Sequence, residues 1–174
     1  NVTENISVAK DVTLTIEPGT EIKGATGTFA NLVITRGSKI EAVGTASSPI
    51  IFSSDDEGYD GAGEWGGLIL QGYGLHNDAD YTCDAGPCQN VDSEGESGFA
   101  GGNTANDNSG TLKYVVVTEG GYEFAPGNEI NGISFVAVGS GTTVDYIQVN
   151  NNADDGVEFY GGSVNAKHLV LTGN

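Results

Sequence analysis

Short apolar bursts punctuate the chain: Leu14-Thr15-Ile16, Leu32-Val33-Ile34, Ile50-Ile51-Phe52, Leu68-Ile69-Leu70, Val115-Val116-Val117 and Leu169-Val170-Leu171. They are built from Val, Ile and Leu and bounded by Gly, Asn, Asp and Ser, the pattern of short β-strands ended by turns. No stretch carries the periodicity of a long amphipathic helix. Alternation within each burst sends Ile16 and Ile34 inward and leaves Thr15, Glu17 and Thr35 facing out.

The bursts also resemble one another. Leu14-Thr15-Ile16 matches Leu32-Val33-Ile34 at an offset of 18, with Gly19 on Gly37 and Ile22 on Ile40, and Phe52 precedes Leu70 by the same 18. Further on, Gly132-Ile133-Ser134-Phe135 matches Gly156-Val157-Glu158-Phe159 at 24, and Tyr146 to Val149 matches His168 to Leu171 at 22. Leu112 to Gly121 reads as a strand of the same kind as Val144 to Asn152. A period of roughly 20 residues, made of strands and turns, marks a solenoid. The Leu and Asn ladder of leucine-rich repeats and the periodicity of helical repeats are both missing. Variable coil length argues against the rigid hexapeptide type. The expectation is an all-β, right-handed parallel β-helix forming a single domain over residues 1–174.

One insertion interrupts it at about residues 72–110, rich in Gly, Asn, Asp and Ser, and is expected to lie over one flank of the solenoid. Strand-like runs begin and end the chain abruptly, and an uncapped solenoid leaves an unpaired edge at each end. This suggests a fragment of a longer β-helix, ends capped by a partner, or subunits that stack end to end.

Charge and cysteines narrow the chemistry. The net charge is −18, from 24 acidic residues against six basic ones. Such a surface repels a phosphate backbone, so nucleic acid is not an expected partner. No apolar run reaches the ~18 residues of a transmembrane helix. Cys83 and Cys88 enclose a short Pro-bearing loop and are expected to form a disulfide in an oxidising compartment. Two cysteines do not make a four-ligand zinc site.

Three constellations carry candidate chemistry. In "NNNADDGVEF", Asp154, Asp155 and Glu158 fall at a turn and the adjoining strand. Paired aspartates on a β-helix suit a polysaccharide hydrolase, one acid protonating the leaving group and the other activating water. The same oxygens suit calcium, and the Asn-Asp turn also reads as side chains bonding their own backbone. In "SSDDEGYDGAGEW", Asp55, Asp56, Glu57, Asp60 and Glu64 make an oxygen-rich, glycine-flexible loop suited to calcium but not in EF-hand order. Tyr59, Trp65 and Tyr73 flank that loop and are candidate glycan contacts, with a core role for Trp65 as the other reading. A lyase would need a base and cations for the sugar acid, and basic residues are scarce here.

The stretches "LTIEPGTEIKG", "ITRGSKIEAVGTASSPIIFSS", "GEWGGLILQG" and the run from Gly121 to Asn174 together resemble β-helix surface or secreted proteins of marine and environmental bacteria. The resemblance covers nearly the whole chain. It implies a right-handed parallel β-helix exported from the cytoplasm, with further coils after "LVLTG", and it speaks to location rather than activity. The leading expectation is therefore a non-enzymatic extracellular or cell-surface module, scaffold- or adhesion-like, binding polysaccharide or surface proteins and calcium. The alternatives are a β-helix hydrolase or lyase using Asp154 and Asp155, and a self-stacking structural subunit.

Overall fold

A computed structural model describes residues 1–56, 58–76, 95 and 97–174. Fourteen strands and no helix are assigned among them. The solenoid strands are β1 (Ile6–Val8), β2 (Thr13–Ile16), β3 (Glu21–Gly24), β4 (Leu32–Ile34), β5 (Lys39–Val43), β6 (Ile50–Ser54), β7 (Leu68–Gln71) and β8 (Gly110–Thr118). After the small antiparallel pair β9 (Glu123–Ala125) and β10 (Asn128–Glu129) come β11 (Ile133–Val136), β12 (Thr143–Asn150), β13 (Val157–Tyr160) and β14 (Asn165–Thr172).

Two parallel sheets face each other. The first runs β1-β4-β7-β11-β13, and the second runs β14-β12-β8-β5-β2, with β3 and β6 paired alongside. The chain winds through both sheets in every coil, which makes it a right-handed parallel β-helix. β8 is long enough to pair with two separate strands of the coil before it. Ile40 to Val43 of β5 pair with Gly110 to Lys113, and Ile50 to Phe52 of β6 pair with Val115 to Val117.

The register corrects one repeat read from the sequence. Leu14 pairs with Ile40, and Ile6 with Leu32, so Leu14 and Leu32 are not stacked partners. They lie on different sheets, as do Phe52 and Leu70. The repeated phrase is thus written twice within the turns of the spiral, because both walls need inward apolar residues followed by a glycine turn. The longer offsets do mark stacking: Ile133 pairs with Val157, and Ile147 with Leu169.

Inward rows fill the space between the sheets. Ile34, Leu70, Phe135 and Phe159 form one such row, and the two phenyl rings stack at 5.2 Å. Close stacking of coils constrains some backbones to glycine. A Cβ on Gly110, which has φ 110°, would lie 2.0 Å from the Ile40 carbonyl oxygen. The first sheet is covered on its outer face as well. Val33, Ile69 and Val136 pack there against Ala100 and Ile130, forming a second, smaller core. The segment just before β8 is laced to this flank by Gly101 N–H to Gly72 O and Thr104 N–H to Tyr73 O, both 2.8 Å.

Candidate functional site

The acidic residues singled out in the sequence are spread among separate backbone and side-chain contacts. The Asp55 carboxylate accepts from the Thr26 N–H and hydroxyl, both at 2.8 Å, and these bonds hold its pKa below the ordinary value. Asp56 and Asp60 are exposed, and Glu57 lies outside the described residues. Asp154 and Asp155 occupy the turn between β12 and β13, where the Asp155 backbone carbonyl accepts from Asn152 Nδ2 at 2.9 Å. Glu158, on β13, accepts from Asn131 Nδ2 at 2.7 Å. Among the described residues no group of three His, Cys, Asp or Glu side chains is placed so that it could hold a metal ion. Cys83 and Cys88 also lie outside the described residues.

The three aromatic candidates do not share a surface. Trp65 is fully buried, with its indole N–H donating to the Thr118 carbonyl at 2.8 Å, so it serves the core and offers no face to a glycan. Tyr59 is exposed on the acidic loop and donates its hydroxyl to Glu21, an interaction that raises its pKa. Tyr73 lies under the Arg36 guanidinium, 5.1 Å from its ring, in a shallow groove with Lys10, Gln71 and Phe99.

A different constellation emerges on the outer face of the second sheet. β8, β12 and β14 each bend midway at a residue in the left-handed region: Tyr114 (φ 50°), Tyr146 (φ 54°) and His168 (φ 50°). The three stand in one column across successive coils. Tyr114 and Tyr146 stack with centroids 4.7 Å apart and planes 11° apart, and Tyr146 and His168 at 4.3 Å and 9°. Bulky residues incur a steric penalty there that glycine or asparagine largely avoids, about 1–3 kcal/mol each. Strain of this kind persists where the surroundings over-determine it, and it concentrates at functional sites.

Beside the aromatic column runs a charged one. Asp145 is in register with Lys113 on one side and Lys167 on the other. His168 Nδ1 is 2.7 Å from Asp145 Oδ1, and Lys113 Nζ lies 5.7 Å and 5.9 Å from the rings of Tyr114 and Tyr146. The bond to His168, then the charges of His168 and Lys113, hold Asp145 below the ordinary carboxylate pKa. The chain has only six Lys and Arg and two His side chains, and Lys113, Lys167 and His168 gather on this one patch.

The aromatic column forms the floor of an open groove of ≈ 320 Å³. One wall is the turn carrying Thr45, Ala46 and Pro49, and the floor continues through Val116, Gln148 and Val170. Hydroxyl, imidazole and amide groups therefore border exposed aliphatic surface. Asp154 and Asp155 do not line this groove. The internal repeats of the sequence place Tyr114 with Tyr146 and Tyr146 with His168. What would mark them as more than scaffold is the recurrence of a ring at a strand-bend position where Asn or Gly fits with less strain.

Comparison with known proteins accords with the architecture. A family model described as a pectate-lyase like beta helix domain matches residues 1–174. No curated protein and no solved structure matches the chain. By the extent of that match and the winding of its two sheets, the chain belongs to the pectate-lyase like beta helix domain family.

Proposed function

We propose that this chain is a non-enzymatic, extracellular glycan-binding module whose ligand lies in the groove along Tyr114, Tyr146 and His168. The observation that carries this reading is the strained, partly exposed aromatic column in an open groove. Sugars present C–H faces and hydroxyl edges together. Val116 and Val170 meet the first, while the tyrosine hydroxyls, Gln148 and Thr45 meet the second. Such sites are shallow clefts of apolar and aromatic surface with a few placed polar groups. The acidic composition and the resemblance to exported β-helix proteins support an extracellular setting. The reading as a hydrolase using Asp154 and Asp155 is weaker, because neither lines the groove.

The test is direct binding. Isothermal titration against a panel of neutral and acidic oligosaccharides is expected to give at least one binder with the wild type, and at least tenfold weaker binding with Tyr146→Ala, a loss of about 1.4 kcal/mol. No binding across the panel, or a binder indifferent to Tyr146, would sink the reading. Release of reducing ends or unsaturated products from any panel member would move the protein into the enzyme class.

A further inference from the structure

The acidic loop after β6 returns to the solenoid at a pair of carboxyl groups. Glu119, directly after β8, is 1% exposed and sits in the left-handed region at φ 65°. Its Oε2 lies 3.2 Å from both the N–H and the Oγ of Ser54, the last residue of β6. Glu64, near the end of the loop, places its Oε2 2.5 Å from that same Ser54 Oγ. The Glu64 N–H donates to the Glu119 carbonyl and the Gly63 N–H to Gly120 O, each at 2.8 Å.

Proton counting sets a condition on this arrangement. A serine hydroxyl has one proton to donate, and the shorter contact assigns it to Glu64. The contact between Ser54 Oγ and Glu119 then becomes a hydrogen bond when Glu119 supplies a proton of its own. With Glu119 ionised, two carboxylates and one hydroxyl proton would share a buried site, and one oxygen pair would face its like across lone pairs. The ion pairs of Lys23 with Glu21 and of His168 with Asp145 involve neither carboxyl.

We infer that a single proton on Glu119, relayed through Ser54 to Glu64, latches the end of the acidic loop, residues 58–64, onto the solenoid, and that losing this proton releases it. Burial, then the nearby charge of Glu64, raises the Glu119 pKa against the opposing bonds from Ser54. The other titratable groups around the loop include Tyr59, which donates to Glu21 on β3, Asp55, held by Thr26, Lys23, paired with Glu21, and the exposed Asp56 and Asp60. The sign follows from linkage. A carboxyl whose pKa is higher in the folded state stabilises that state fully below about 4.3, the ordinary value, and this contribution is lost as pH rises through the raised value. The latch is therefore closed in acid and opens on alkalinisation.

Glu119→Gln cannot ionise, and at the position of Oε2, which both Ser54 groups contact, it places either an amide donor for Ser54 Oγ or a carbonyl acceptor for the Ser54 N–H. Two readouts separate opening from simple titration. Trp65, the single tryptophan, is joined to Glu64 by one peptide bond and reports on its surroundings. Tyr59 is exposed on the loop, and chymotryptic cleavage after it reports on access. In the wild type, Trp65 emission is expected to change with pH above the ordinary Glu value. At alkaline pH, cleavage after Tyr59 is expected to be several-fold faster than in Glu119→Gln, whose emission stays flat. Glu64→Gln, which removes the neighbouring charge, is expected to shift the wild-type midpoint to lower pH and serves if Glu119→Gln does not fold. A flat wild-type profile, equal cleavage of wild type and Glu119→Gln, or an unmoved midpoint in Glu64→Gln would overturn the latch.

Discussion

Tyr146 and His168 lie face to face, 4.3 Å apart and nearly parallel, on strands that follow one another in the spiral. Both are held at positive φ, so the chain accepts backbone strain to present these rings. Replacing Tyr146 by Asn relieves part of that strain, since Asn visits the left-handed region readily. It also removes two ring stacks worth about 0.5–1.5 kcal/mol each. These effects oppose one another, so the melting temperature is expected to move by only a few degrees. Glycan affinity is expected to collapse nonetheless, and calorimetry with titration on the same sample checks both halves.

Asp145 stabilises the fold through its ionised form. His168 holds its pKa below the ordinary value, so this contribution is present above that value and lost as pH falls through the lowered one. Asp145→Asn is expected to melt below the wild type at neutral pH, with the gap closing well below about pH 3.9, the ordinary Asp value. A gap that persists unchanged in strong acid would mean that shape, not charge, matters at this position.

Trp65 is the largest buried side chain, and it packs directly on Gly24, where a Cβ would lie 2.7 Å from its ring. Gly24→Ala is expected to cost about 1–3 kcal/mol by overpacking. Trp65→Phe is expected to cost a similar ~1–3 kcal/mol, because it leaves the Thr118 carbonyl without its indole donor. Chemical denaturation of the wild type and both variants measures the two costs, and a neutral Gly24→Ala would show that the indole can move aside.

Gly110 is the strictest of the close approaches. Alanine there meets the Ile40 carbonyl at 2.0 Å in a backbone region that alanine disfavours. Gly110→Ala is expected to abolish cooperative unfolding or lower its midpoint severely, whereas Gly127→Ala, where open space surrounds the glycine, is expected to cost only the left-handed strain. Parallel denaturation of the two variants separates collision from conformation.

Much of the fold was legible because inward residues of a solenoid must stack on their like. The matches of Ile133 with Val157 and of Ile147 with Leu169 join true neighbours for that reason. The match of Leu14 with Leu32 misled because these residues, though on different walls, obey the same alternation and the same glycine turn. Trp65 could have been read either way, and only its burial decides. The site was less legible. Tyrosine is not a turn residue, and its φ at 114 and 146 is dictated by the bend of a long strand rather than by its own preference. Ser54 and Glu119 are 65 residues apart, and only the pairing of β6 with β8 brings them together.

That pairing also has a consequence for how the molecule assembles. β1 reaches β4, and β11 reaches β13, across a single short coil, but β11 must find β7 across the whole stretch from Leu68 to Ile133. Closing a loop almost three times as long costs about 0.9 kcal/mol more in chain entropy, before any contact offsets it. Local contacts tend to form first in such chains, so two islands are expected to nucleate separately, one before the insertion and one after it. β8 then works as a keystone, for it is the strand that bonds to β5 and β6 on one side and to β12 on the other.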